Sequence, residues 1–233
     1  MATRFPRFTG PKPLAVTFDF GQTLADLDTG LLAQRLRARG IDVAPERLES
    51  AVPLAFDAYN RGVIVEGGNR GAHPWGALMT ELLLRAGVEE ARIGASVEWL
   101  WSEQPGRNLW RRPVPGMIEL LRKLPMPLGV ISNSEGRLEE LAVELGWRDL
   151  FAAFADSGKL GIAKPGPRIF EWTCAQLGVP AARVVHVGDS FAADVRGAVA
   201  AGFQGAIWFR GEGDGQGFRS ARDAAEVEAL LLG

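Results

Sequence analysis

Short, nearly continuous apolar runs recur along the chain and alternate with segments of helical periodicity. The runs are Leu14–Phe18, Leu128–Ile131, Phe151–Phe154, Val184–Val187 and Gly205–Phe209. Runs of this length are typical of parallel strands that are buried on both faces of a sheet. The helical segments are Val114–Leu124, Glu135–Leu145, Pro167–Leu177, Phe191–Ala201 and Ala221–Leu232. This alternation predicts an α/β fold with a parallel sheet and right-handed crossovers.

One long segment breaks the alternation. Residues 25–112 contain no clear buried strand, and their helical patterns are Thr29–Arg39, Pro45–Tyr59, Pro74–Ala86 and Glu89–Trp101. We therefore predict a helical domain of residues 25–112, inserted into a core domain of residues 1–24 and 113–233. Within this insertion, the glycine-rich stretch Gly62–His73 is predicted to be a loop.

Composition and charge narrow the possible partners and compartment. A chain of 233 residues can form one core with a modest inserted domain. The net charge of −2 leaves no excess of positive charge with which to bind nucleic acid. No run of apolar residues is long enough to predict a membrane span. A single cysteine, Cys174, excludes an internal disulfide and fits a reducing compartment. We expect a cytoplasmic protein with neither nucleic acid nor membrane as a partner, and its oligomeric state is left open.

Two of the predicted strands lead directly into a carboxylate. Asp19 follows the first apolar run, and Asp189 follows Gly188 after the run Val184–Val187. Asp194 lies at the start of the next predicted helix. Carboxylates at the ends of parallel strands suit a hard cation and a phosphate, because both need oxygen ligands or anchored charge in an open crevice.

Four separated segments resemble, in order, spacing and position at strand ends, the motifs of the haloacid dehalogenase-like (HAD) hydrolase superfamily. They are Asp19-Phe20-Gly21-Gln22-Thr23-Leu24, Ile131-Ser132-Asn133, Lys164-Pro165, and Gly188-Asp189-Ser190 with Asp194. The resemblance implies a Rossmann-like parallel sheet core with an inserted helical cap of the C1 type. It also implies hydrolysis of a small phosphorylated metabolite, with the cap closing over the site to exclude bulk water.

The same resemblance implies a role for each motif residue. Asp19 is the implied nucleophile, which becomes transiently phosphorylated, and Ser132 and Lys164 act with it in catalysis. Phosphate contacts are implied for Ser132, Asn133, Lys164 and Thr23, and the Thr23 hydroxyl is also expected to stabilise the turn after Asp19. The implied cofactor is Mg²⁺, in a metal site formed by Asp19, Asp189, Asp194 and the backbone carbonyl of Gly21. Asp194 either holds a metal-bound water, orients Lys164, or favours the positive end of its helix.

Position 21 departs from the family pattern. Phosphatases of this superfamily usually carry an aspartate there, which protonates the leaving group and then activates water, whereas this chain has Gly21. Losing such a group typically costs about 10²–10⁴-fold in rate. Glycine keeps a backbone carbonyl for a metal, but the neighbouring amide of Gln22 does not titrate and cannot replace the acid.

Three interpretations of this departure remain open. The protein hydrolyses a phosphate whose leaving group needs no protonation, such as an acyl phosphate, or it takes an acid from the insertion. Alternatively, it is a metal-independent 2-haloacid dehalogenase, whose halide leaves unassisted, or a catalytically impaired member that works by binding. A phosphonate-cleaving mechanism needs an imine-forming lysine in the cap. All lysines of the chain lie outside residues 25–112, which argues against this mechanism; they are Lys12, Lys123, Lys159 and Lys164.

The insertion and the core hold further candidates. Five arginines of the insertion are candidates for contact with either an anionic substrate or solvent, namely Arg35, Arg37, Arg39, Arg61 and Arg70. Tryptophans that form either a helix core or a substrate wall are Trp75, Trp99, Trp101 and Trp110. His73 is the histidine of the insertion that we expect to donate a proton near neutral pH. His186 lies within a predicted buried strand and is expected to pack in the core.

Overall fold

The computed structural model describes residues 11–66 and 74–233, and its strands account for most of the predicted apolar runs. In chain order they are β1 (Ala15–Phe18), β2 (Ala25–Leu27), β3 (Trp110–Pro113), β4 (Leu128–Ser132), β5 (Ala153–Asp156), β6 (Val184–Gly188), β7 (Gly205–Phe209) and β8 (Phe218–Ala221). Six of them form one sheet in the order β5-β4-β1-β6-β7-β8, and β2 pairs with β3 in a separate sheet.

Most of these strands are connected by helices, and in the described residues four helices follow one another between β2 and β3. The helices are α1 (Thr29–Ala38), α2 (Pro45–Glu66), α3 (Pro74–Arg85), α4 (Glu90–Glu103), α5 (Met117–Lys123), α6 (Leu138–Glu144), α7 (Ser157–Leu160), α8 (Pro167–Leu177), α9 (Gly197–Ala200) and α10 (Ala224–Leu232). A π-helix over Phe191–Arg196 runs directly into α9. Helix α8 has the predicted bounds, with a proline at its start and Gly178 in the left-handed conformation at its end.

The large sheet is parallel throughout, which confirms the predicted α/β class. Strand β1 lies between β4 and β6, and Phe18 pairs in register with Val187. Alternate residues of the strands enter two buried clusters, one containing Val16 and Val130 and the other Ala15 and Ile131. Helices therefore cover both faces of the sheet, as continuous apolar strands require.

The chain divides into two compact units. The described residues up to Asp26 form the first unit together with Trp110–Gly233, and the second is Leu27–Leu109. The second unit contains α1 to α4, and its buried side chains include Leu32, Leu36, Met79 and Leu100. That this helical unit serves as a cap stays a prediction. No helix in the described ranges is long and apolar enough to cross a lipid bilayer.

Some predicted elements are wrong in extent or type. Residues 62–66 continue helix α2 instead of belonging to a loop, and residues 67–73 of that predicted loop lie outside the described residues. The short strands β2 and β3 were not predicted, because three or four residues carry too little periodicity to distinguish them from helix. Strand β8 occupies the start of the last predicted helix, which begins at Ala224 because Asp223 accepts a hydrogen bond from the Glu226 N–H.

Strand β5 is displaced from the predicted run Phe151–Phe154. A short turn of helix over Arg148–Leu150 precedes it, and the N–H of Ala152 donates to the Leu128 carbonyl at 2.8 Å, so regular pairing starts only afterwards. The strand ends at Asp156, whose buried carboxylate accepts from the N–H of Leu138 and from the N–H of Gly158, each at 2.9 Å. Asp156 thus fixes the starts of α6 and α7 together.

We expect Asp156→Ala to lower the free energy of unfolding by about 2–4 kcal/mol, because two backbone donors lose their acceptor. Denaturant unfolding monitored by far-ultraviolet circular dichroism measures this change. The exposed Asp149 on the preceding helical turn provides a control, and Asp149→Ala should change stability by less than about 0.5 kcal/mol. Equal effects of the two substitutions would contradict the capping role of Asp156.

Candidate active site

The carboxyl ends of the two central strands bring Asp19 and Asp189 to one edge of the sheet. The N–H of Asp19 donates to the Val187 carbonyl at 2.8 Å, which continues the pairing of β1 with β6 beyond the last strand residue. Asp189 follows β6 directly, and its carbonyl accepts from the Trp208 indole at 2.9 Å. Ligand sites of open parallel sheets lie at this edge.

Lys164 is the centre of the cluster. Its Nζ donates to Oδ1 of Asp19 and to Oδ1 of Asp194, both at 2.6 Å, and the side chain is only 3% exposed. Asn133 fixes the Lys164 backbone from both sides: its Oδ1 accepts from the Lys164 N–H at 2.9 Å, and its Nδ2 donates to the Lys164 carbonyl at 3.0 Å. Asn133, predicted to contact phosphate, therefore positions the ammonium group in this structure.

Asp19, Asp189 and Asp194 have carboxylate oxygens within 4.8 Å of one another. Burial raises the pKa of Asp19, the Asp194 carboxylate adds to this, and Lys164 opposes both. Burial and the two neighbouring carboxylates also raise the pKa of Asp189 well above its usual range. For Lys164, burial alone would lower the pKa, but the two carboxylates that it contacts outweigh burial and raise it. Three acidic groups around one ammonium leave negative charge uncompensated, and an oxygen-only donor set of this kind fits a hard divalent cation.

Asp194 is held more tightly than the other two carboxylates. Its Oδ1 accepts from Lys164 and from Nε2 of His186 at 3.2 Å, and its Oδ2 accepts from the Ser190 N–H at 2.9 Å. Burial would raise the pKa of Asp194, but Lys164 and then His186 lower it to about 2. A side chain at Gly188 would place its Cβ 2.3 Å from Cγ of Asp194, so the glycine is required for this close approach. Of the alternatives for Asp194, its contacts favour the one in which it orients Lys164.

Two predicted phosphate contacts differ in accessibility. Ser132 is the last residue of β4, which lies next to β1. It is buried but keeps a small accessible surface, so its hydroxyl remains a candidate for binding a phosphate oxygen. The Thr23 hydroxyl is fully enclosed and has no hydrogen-bond partner within the described structure. A hydroxyl without accessible surface cannot contact a substrate in this conformation, nor does it stabilise the turn by a hydrogen bond. The predicted phosphate contact of Thr23 is therefore not supported by this conformation.

Trp110 explains the glycine at position 21. A Cβ placed on Gly21 would lie 2.9 Å from Nε1 and 3.0 Å from Cδ1 of the Trp110 indole. The indole therefore occupies the space that an acidic side chain at position 21 would need. The adjacent Gln22 has a φ of 57°, and its Oε1 accepts from Arg210, which also pairs with Asp26 through both guanidinium Nη atoms.

Most candidates in the insertion make contacts within their own unit. Arg35 donates to the carbonyls of Glu103 and Arg107, and Arg37 pairs with Asp42 at 3.2 Å. The Arg39 guanidinium lies over Trp99 at 5.1 Å, and the rings of Trp75 and Trp101 lie 5.2 Å apart. Packing within the helical unit accounts for these side chains. The side chain of Arg61, and residues Arg70 and His73, lie outside the described residues.

Sequence reasoning missed Thr17 and misjudged His186. His186 is fully buried, as expected, but its ring joins the site instead of only packing: Nδ1 bonds the Thr17 hydroxyl at 2.9 Å, and Nε2 bonds Asp194. Both residues are polar positions in strands that are otherwise apolar, and they pair in register across β1 and β6. That coincidence of polar positions in two predicted core strands is the signal that could have identified them.

The chain resembles known proteins in sequence and in fold. The family model described as haloacid dehalogenase-like hydrolase matches residues 14–202. Haloacid dehalogenase-like hydrolase domain-containing protein 3 of Bos taurus is 30% identical over 73% of this chain and 70% of its own length, and that of Mus musculus is 30% identical over 80% and 78%. Pyrimidine 5'-nucleotidase YjjG of Escherichia coli is 35% identical over 39% of this chain and 42% of its own.

A solved structure extends the likeness to three dimensions. The putative HAD-hydrolase YfnB from Bacillus subtilis, bound to magnesium, superposes with a TM-score of 0.74 at 17% identity, covering 95% of this chain and all of that one. At this identity the superposition establishes the fold, and the family model together with the mammalian relatives establishes the family. The chain belongs to the haloacid dehalogenase-like hydrolases.

Proposed function

We propose that the protein is a Mg²⁺-dependent phosphatase that acts on a small phosphorylated metabolite through a phosphoaspartate at Asp19. The observation that carries this proposal is the 2.6 Å contact between Lys164 and Asp19 at the edge of a buried carboxylate cluster. An ammonium in this position screens the negative charge of both the nucleophile and an incoming phosphoryl group. Relatives named as a pyrimidine 5'-nucleotidase and an N-acylneuraminate-9-phosphatase support a phosphorylated substrate.

The metal would be held by Asp19 and Asp189, with the carbonyl of Gly21 and the second lone pair of Asp194 Oδ2, the oxygen that also accepts from the Ser190 N–H. The raised pKa values of Asp19 and Asp189 support this, because a cation beside them would favour their ionised forms. Bound there, Mg²⁺ supplies charge neutralisation for the oxygens of a phosphoryl group. Oδ1 of Asp194 already accepts hydrogen bonds from Lys164 and His186, so Asp194 would be a secondary ligand of the metal.

The reaction follows from the position of Asp19. Its carboxylate attacks phosphorus, the bond from phosphorus to the leaving-group oxygen breaks, and that oxygen takes the bonding electrons. Lys164 and the Ser132 hydroxyl stabilise the phosphoryl oxygens during this transfer. Water then attacks the phosphoaspartate, which releases inorganic phosphate and restores the Asp19 carboxylate.

The first step lacks an acid at position 21, because Trp110 occupies the space. A leaving group that is stable as an anion departs without a proton. We therefore propose acyl phosphates and phosphates of acidic hydroxyls as the favoured substrates, and simple alkyl phosphates as poor ones.

The lack of an acid at position 21 also favours a second candidate, a 2-haloacid dehalogenase. In that reaction Asp19 attacks the carbon that bears the halogen, halide departs with the bonding electrons, and water hydrolyses the resulting ester. No acid is needed, which suits Gly21. Asp189 and Asp194 have no use in this reaction, because without a bound cation they add negative charge beside Asp19, where an anionic substrate must bind. Binding without turnover is the remaining alternative.

We expect Mg²⁺-dependent hydrolysis of acetyl phosphate that is abolished by chelator and reduced at least about 10³-fold in Asp19→Asn. The exposed Asp149 supplies a matched control, since Asp149→Asn makes the same chemical change at a residue outside the motifs. Phosphate release measured with and without chelator decides the outcome. Release of halide from a 2-haloacid, with no phosphate release, would establish the dehalogenase instead, and ligand binding without either product would indicate a binding protein.

We also expect the leaving group to control the rate in a way that depends on Trp110. The wild type should hydrolyse acetyl phosphate and aryl phosphate faster than alkyl phosphate by at least about 10²-fold. Gly21→Asp alone should lower stability by about 1–3 kcal/mol without improving alkyl phosphate hydrolysis, because its side chain collides with the indole. Gly21→Asp combined with Trp110→Val should raise that activity at least about 10-fold over Trp110→Val alone.

The control for steric conflict is Gly94, which lies in helix α4 with no atom within 4 Å of an added Cβ. Gly94→Ala should be neutral or stabilising, whereas Gly21→Ala should be destabilising. Thermal unfolding of the variants reports both changes. If Gly21→Asp alone were as stable as the wild type and faster on alkyl phosphate, Trp110 would not be what excludes an acid from position 21.

A further inference from the structure

We propose that His186, with its ring fixed by Thr17, is a positioning residue that orients Asp194 and, through it, Lys164. Thr17 on β1 and His186 on β6 are register partners on adjacent strands, and both are fully buried. Their side chains meet at 2.9 Å between Oγ1 and Nδ1. Thr17 lies two positions before the nucleophile, so the contact joins the strand of Asp19 to the strand of Asp189.

The partners of the ring determine where its proton lies. A carboxylate only accepts hydrogen bonds, so the 3.2 Å contact with Asp194 Oδ1 requires a proton on Nε2. In the neutral ring Nδ1 is then an acceptor, and the Thr17 hydroxyl donates to it. Asp194 therefore selects the tautomer, and the Thr17 hydroxyl holds the ring from its other side, in the way that outer hydrogen bonds orient the histidines of metal sites.

Three donors hold Asp194, and each restricts its rotation. Lys164 and His186 both donate to Oδ1, and the Ser190 N–H donates to Oδ2. Without the histidine donor, the carboxylate can turn about its Cβ–Cγ bond. Because Lys164 is shared with Asp19, such a turn displaces the ammonium group from the position in which it serves the nucleophile.

A purely structural role would give a different pattern. The His186 ring makes edge contacts with Phe170, at 5.5 Å between centroids, and with Phe203, at 6.5 Å. If packing were its only task, an aromatic hydrocarbon ring would replace it well. If positioning is its task, a replacement must instead keep a donor where Nε2 stands, and glutamine can place an amide N–H there.

The kinetic test compares His186→Phe with His186→Gln, and it rests on the proposed phosphatase activity. We expect His186→Phe to lower kcat by about 10–100-fold while its melting temperature stays within a few degrees of the wild type, as loss of an outer hydrogen bond typically does. His186→Gln should recover most of that loss even if it is less stable. The opposite order, with phenylalanine active and glutamine impaired, would show that His186 only packs.

Thr17→Val tests the other end of the chain of contacts, with Thr173→Val as its matched control. Thr173 is equally buried, and its hydroxyl donates to the Ile169 carbonyl within helix α8. We expect kcat to fall several-fold in Thr17→Val and to stay unchanged in Thr173→Val. Equal effects of the two substitutions would overturn the role of Thr17.

A spectroscopic measurement separates this inference from the proposed function. Long-range ¹H–¹⁵N correlation spectra distinguish histidine tautomers, and the chain has two histidines, so His73→Gln assigns the signals. We expect the Nε2–H tautomer for His186 in the wild type and a changed ring pattern in Thr17→Val. An Nδ1–H tautomer in the wild type would overturn the inference, whether or not the protein hydrolyses a phosphate.

Discussion

The shared ammonium of Lys164 is the interaction on which the site depends. It lies 2.6 Å from both Asp19 and Asp194, in surroundings where an unpaired charge would be costly. Several other features serve to hold it there. Asn133 fixes its backbone, Asp194 is anchored by three donors, and Gly188 lets that carboxylate approach. One cation against three carboxylates still leaves negative charge at the edge of the sheet, and this excess supports the proposal that the site holds a divalent cation.

Gly21 and Trp110 form a second constraint, which in the proposed reaction would act on the choice of substrate. A Cβ at position 21 would fall 2.9 Å from the indole, so an acid at this position would require the indole to shift. In the proposed site the backbone carbonyl of Gly21 would still be available to a metal, whereas position 21 would supply no proton to the leaving group. Under the proposed function, such a site would favour leaving groups that are stable as anions.

The sequence predicted the core of the fold because its signals are local and repeated. Helix α8 matches its predicted bounds since a proline and a glycine mark its ends, and β7 matches because its apolar run is complete. Asp19, Asp189 and Lys164 were predictable from motif order, and the structure brings them together. Short strands such as β3 lack periodicity, and the enclosed Thr23 hydroxyl and the Trp110 indole depend on packing between distant segments. The contact between Thr17 and His186 was also missed, because a register between strands is a property of the folded sheet and not of either segment.

The most direct measurement traps the covalent intermediate. The protein is mixed with acetyl phosphate and Mg²⁺, quenched in acid within milliseconds, reduced with borohydride, and digested for peptide mass spectrometry. Reduction converts an aspartyl phosphate into homoserine, so the peptide that carries Asp19 should show this change only when substrate is present. Turnover with Asp19 unmodified, or with the modification on another carboxylate, would contradict the central claim that Lys164 holds Asp19 as the nucleophile.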